Sequence, residues 1–90
     1  MLPLTMKTIE INDFGGPEVL ITGSRPLPEV ADSEVLIKIA AAGVNGPDLV
    51  QRRGLYPPPK GASDLLGLEV SGEIVACGST VLTAKVGDTV

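Results

Sequence analysis

Ninety residues with a formal net charge of −4 and a pI of about 4.5 exclude a good deal. A chain this short makes at most one small domain. An acidic chain without a Lys/Arg stripe is not built for nucleic acid. Apolar residues are 43% of the chain but include only one Phe and one Tyr, so a core must come from Val, Leu, Ile and Ala. Cys77 is the sole cysteine, which rules out an internal disulfide and fits a reducing, cytoplasmic setting. No apolar run reaches the ~20 residues that span a bilayer, so no membrane partner is expected.

Met1–Lys7 carries Pro3 and no basic segment ahead of an apolar block, unlike a secretory signal. Residues 1–6 read as a short N-terminal extension, with Met6 a second potential start, and residues 7–90 as the domain. Lys7–Asn12 (KTIEIN) alternates sides and predicts a strand. Asp13–Pro17 (DFGGP) predicts a turn, and Val19–Gly23 the return strand. Arg25–Asp32, with Pro26 and Pro28, reads as a surface connection. Ser33–Ala42 (SEVLIKIAAA) is the strongest strand, with Val35, Ile37 and Ile39 on one face. Pro47 suits the first turn of a short helix capped by Asn45 or Gly46, ending at Gly54. Glu69–Cys77 predicts another strand, weakened at Gly72. Val86–Val90 (VGDTV) reads as a turn entering one more strand with nothing left to pair with. That ending predicts a longer parent protein.

Between two of these strands lies Asn45–Glu69, NGPDLVQRRGLYPPPKGASDLLGLE. It gathers Asn45, Asp48, Arg52, Arg53, Tyr56 and Glu69 around the rigid Pro57-Pro58-Pro59 turn. Polar groups on a loop held by strands commonly make a site. The segment has no His and no Cys, so it lacks the soft ligands of a zinc centre.

The segments DFGGPEVL, EVLIKIAAAGVN, NGPD, RGLYP, LGLEVSG and VGDTV, in this order, resemble the N-terminal part of the medium-chain dehydrogenase/reductase superfamily, and specifically its NAD(P)H:quinone oxidoreductase branch. The resemblance implies a mainly β, partial GroES-like β-barrel with one short helix. It also implies a parent that adds a Rossmann α/β domain, homo-oligomerises, and transfers hydride from NADPH or NADH to a quinone or enone. No GxGxxG between strand and helix is present, so this chain is expected not to bind the cofactor tightly and to be inactive alone. Zinc-dependent members have Cys where this chain has Asn45 and His where it has Leu68, so no zinc is expected. The resemblance places Tyr56 in the quinone pocket as the catalytic candidate, with Asn45 and Asp48 beside the nicotinamide. An enoyl reductase, a zinc-independent alcohol dehydrogenase and a non-catalytic GroES-like module remain as alternatives.

Each residue also has a plainer reading. Tyr56 can simply cap the proline turn, Asn45 belong to an Asn-Gly turn, and Asp48 be a first-turn helix charge. Glu69 reads as a buried structural carboxylate. Arg52 and Arg53 read as a solvated face, one of them within reach of Asp48. Cys77 reads as a small core residue, with no His to activate it.

Overall fold

The computed structural model describes residues 2–90. Its elements in order are β1 (Thr5–Ile11), a 3-10 turn (Pro17–Val19), β2 (Leu20–Pro26), β3 (Val35–Ala42), α1 (Gly46–Arg52) and β4 (Val70–Cys77). The strands form two antiparallel pairs, β1–β2 and β3–β4. The fold is therefore mainly β with one short helix, and no closed barrel forms among the described residues. The chain divides into two compact units. One holds β1, β2, α1 and the loop up to Leu68; the other holds β3, β4, the segments before β3 and the C-terminal residues.

In the β3–β4 unit, Val35 pairs with Cys77, Ile37 with Ile74 and Ile39 with Gly72, with irregularities after Leu36 and Ile39. The β-branched run of β3 suits such a pleated surface. Ile74 is 1% exposed and is the buried apolar residue among those described. Gly72 does more than weaken the strand. The Lys38 carbonyl lies so close that a Cβ at Gly72 would overlap it.

The C-terminal turn corrects an expectation. Its residues do find a partner: Gly72 and Val90 exchange two backbone hydrogen bonds of 2.9 Å, and Ile74 N–H donates to Asp88 C=O at 2.9 Å. Backbone groups that would otherwise stay unpaired close onto the free side of β4.

The other unit is built on a regular hairpin, registered from Thr5↔Pro26 to Ile11↔Leu20. Pairing starts two residues before the expected Lys7 and continues past Gly23. Arg25 and Pro26, expected in a surface connection, are thus strand residues. Pro26 is tolerated because it pairs with Thr5 at a position between ladder bonds, so its missing N–H costs none. The next ladder bond runs from Leu27 N–H to Leu4 C=O at 3.0 Å. Asp13–Pro17 does form the bend between the strands. No helix among the described residues is long and apolar enough to cross a membrane.

Candidate functional site

The helix start comes first. Asn45 is the N-cap and forms a capping box with Asp48. Asp48 Oδ2 accepts from Asn45 N–H at 3.0 Å, and Oδ1 accepts from Gly67 N–H at 3.2 Å. Asp48 is buried, so the two backbone donors offset the cost of desolvating its carboxylate. It ties the helix to the far end of the loop that follows. Pro47 falls at the second helical position, one later than the cap alternative with Gly46 would put it.

The helix stops as its sequence indicates. Gly54 has φ +81°, and its N–H donates to Gln51 C=O at 3.0 Å while Leu55 N–H donates to Val50 C=O at 3.1 Å, a Schellman ending. Phe14 lies on this glycine: a Cβ there would stand 2.7 Å from the Phe14 ring. Arg52 corrects the solvated-face expectation. It is buried, its Nε donating to Gly15 C=O at 3.0 Å while Gly15 N–H donates to Arg52 C=O at 3.1 Å. Its long side chain runs along the β1–β2 bend instead of outward. Arg53 is exposed, as expected.

The strongest electrostatic feature was not picked out from the sequence. Arg25 Nε and Nη2 donate to Glu10 at 2.8 and 2.5 Å, and Nη1 and Nη2 donate to Asp64 at 2.7 and 3.1 Å. In the hairpin Arg25 stands opposite Met6, and Glu10 opposite Ile21. The two are therefore four residues apart along the strands, about 13 Å at the usual rise. They meet because Gly23 lies between them. A Cβ at Gly23 would stand 2.6 Å from Glu10 Cγ and 3.0 Å from Thr8 Oγ1. The Arg25 hydrogen bonds, then the Thr8 hydroxyl, hold the Glu10 carboxyl below its ordinary value of 4.5. Hydrogen bonds from Arg25 likewise hold Asp64 below 3.8, and the two carboxylates push the Arg25 guanidinium up. The signal available in the sequence was the alternation Thr8, Glu10 against Gly23, Arg25; Asp64, 39 residues from Arg25, carried none.

These groups border a cavity of about 400 Å³. Phe14, Tyr56, Pro57, Pro58 and Leu65 supply apolar wall, and Arg25, Asp64, Asp13 and Gln51 supply polar groups. Tyr56 is 44% exposed, so its ring is neither sealed in a core nor fully solvated. Such a mixture of aromatic surface and a few convergent polar groups is how small-molecule sites are usually lined. Of the three residues that the resemblance placed in the site, Tyr56 lines this cavity, while Asn45 and Asp48 pair with each other at the helix start.

Glu69 is exposed, which corrects the expectation of a buried carboxylate: it lies just ahead of β4, where burial has not begun. Cys77 is half-buried, with Sγ 3.8 Å from Ala84 C=O. The donor set does not fit a catalytic zinc. Asn45 is engaged in the capping box, Leu68 is an exposed hydrocarbon, and no three His, Cys, Asp or Glu side chains converge among the described residues. The glycine turn between β1 and β2 does not fit a dinucleotide's phosphates. Gly15-Gly16-Pro17 leads into a three-residue 3-10 turn, and the Glu18 carboxylate stands over Gly16, where it would repel an anion.

Residues 31–90 match the alcohol dehydrogenase GroES-like domain family. The chain is 42% identical over 88 residues to a quinone oxidoreductase of Lama guanicoe, covering 94% of this chain and 26% of that protein. It is 34% identical over 91 residues to an NADPH-dependent alkenal/one oxidoreductase of Arabidopsis thaliana, covering 99% of this chain and 24% of that protein. Its fold superposes on the Escherichia coli quinone oxidoreductase complexed with NADPH with a TM-score of 0.82, at 38% identity over 93% of this chain and 26% of the other. The chain thus spans about a quarter of the length of the relatives it matches. The paired β elements, the single capped helix and these likenesses agree: the chain belongs to the alcohol dehydrogenase GroES-like domain family, within the medium-chain dehydrogenase/reductase superfamily and alongside its quinone oxidoreductases.

Proposed function

We propose that residues 7–90 are the substrate-side part of a zinc-independent oxidoreductase that passes hydride from NADPH, or NADH, to a quinone. The observation that carries this reading is the cavity beside Tyr56. A ring and two prolines offer flat apolar surface to a planar acceptor, and the phenolic O–H can donate to an acceptor oxygen. Electron-poor conjugated carbonyls accept hydride without strong Lewis-acid help, which suits a donor set that does not fit zinc. The nicotinamide group supplies the hydride in the whole protein and is held by residues outside this chain. This chain's residues bind and orient the acceptor: Tyr56 at the cavity, with Asn45 and Asp48 fixing the helix from which the Tyr56 loop departs. The 90 residues alone are inactive on this reading. The similarity to the Arabidopsis alkenal/one oxidoreductase favours an enone as a second acceptor class. The lone half-buried Cys77 supports a cytoplasmic setting and the acidic balance argues against a nucleic-acid partner, while the homo-oligomeric whole protein rests on the family resemblance.

The test follows NADPH absorbance in the complete protein with and without a simple benzoquinone, and again with an alkyl enone. Quinone-dependent oxidation supports the reading. Its absence with both acceptors removes it and leaves a non-catalytic module. Tyr56→Phe should lower quinone turnover by about two- to tenfold, the loss of one hydrogen bond, with NADPH affinity little changed. Unaltered turnover would take Tyr56 off the catalytic list.

A further inference from the structure

Arg25 is engaged on both sides by protein carboxylates, with four N–H···O contacts between 2.5 and 3.1 Å. A guanidinium so committed has little left to offer a ligand, although it borders the cavity. Its two partners differ in kind. Glu10 belongs to the regular hairpin, while Asp64 belongs to the connecting loop and its side chain is 70% exposed. A second tie reaches the same loop residue: Gln51 Nε2, on the helix, donates to Asp64 C=O at 3.0 Å. Between these ties and Tyr56 lie three consecutive prolines and a turn closed by Ala62 N–H on Pro59 C=O at 3.0 Å. Prolines remove φ freedom, so the loop moves in few ways once one end is held.

We propose that Arg25 is a positioning residue whose bridge from Glu10 to Asp64 latches the loop 55–65 against the hairpin and thereby sets the width of the cavity and the place of Tyr56 in it. Gly23 is part of the device, because only a residue without a Cβ leaves the lane through which Arg25 and Glu10 meet. The consequence for turnover rests on the quinone reading above; the latch itself does not.

The test uses the complete protein with Asp64→Asn, Arg25→Met, their double variant and Arg25→Lys. Backbone amide exchange is read in residues 55–65 and, as a reference, in β3 and β4. Asp64→Asn and Arg25→Met should each speed loop exchange by about threefold or more, with the reference strands unchanged. The double variant should be no faster than Arg25→Met, since both changes remove one interaction. Arg25→Lys keeps the charge without the fork and should restore part of the protection. In quinone turnover the same variants should raise KM and lower kcat by no more than Tyr56→Phe does, because the loop that loosens carries Tyr56. Unchanged loop exchange in Asp64→Asn, additive effects in the double variant, or equal acceleration in the reference strands would overturn the latch. If the unaltered protein does not oxidise NADPH with quinone, the functional reading falls, and the exchange results still decide the latch.

Discussion

The two units of this chain hold themselves together by different means. The β3–β4 unit has the buried apolar side chain, Ile74, and backbone pairing of Gly72 with Val90 and of Ile74 with Asp88, while side-chain hydrogen bonds such as Ser79 and Thr80 to Asp32 lie exposed at its surface. The hairpin–helix unit contains the buried polar side chains, Thr8, Asp48 and Arg52. Each of these polar groups has a hydrogen-bond partner in its own unit: Thr8 with Glu10, Asp48 with Asn45 and Gly67, Arg52 with Gly15. Apolar burial is non-directional, so it stabilises strands without fixing fine position. Hydrogen bonds are directional, so a unit knitted by them holds loops in place. The cavity and Tyr56 lie in the unit of the second kind.

The contrast can be broken most forcefully in the first unit. Ile74→Ala should cost about 2–5 kcal/mol in denaturant unfolding, because it empties a site that is 1% exposed. A smaller loss would mean that neighbouring side chains collapse into the space. In the second unit, Asp48→Ala strands the Asn45 and Gly67 N–H groups and should cost about 1–3 kcal/mol. Hydrogen exchange should then rise first around the helix start and Gly67, not in β3 and β4. A uniform rise would erase the distinction between the units.

The smallest effect is on pH dependence. Glu10 and Asp64 have folded values depressed by Arg25, so their contribution is complete above the ordinary values of 4.5 and 3.8. It is lost only as pH falls through the lower folded values. The contribution of this cluster to melting temperature should therefore stay constant between neutral pH and about 4.5, then decline below that range, a decline that Arg25→Met reduces. An identical acid decline in Arg25→Met would place the loss elsewhere.

Much was readable along the chain because it is local. Alternation in KTIEIN and SEVLIKIAAA marked β1 and β3 to within two residues. Asn45-Gly46-Pro47-Asp48 and Gly54 bounded the helix through capping and a left-handed stop, interactions that span three or four residues. The family resemblance, and with it the mainly β class, followed from the order of the motifs. What stayed hidden is non-local. Val90 pairs with Gly72, 18 positions earlier, and Arg25 joins Asp64, 39 positions later. No periodicity links such positions; chain folding brings them together, and only then does a carboxylate find its cation. The same holds for Arg52, whose charge reads as surface in one dimension, while in three the Gly15 carbonyl satisfies it and allows its burial.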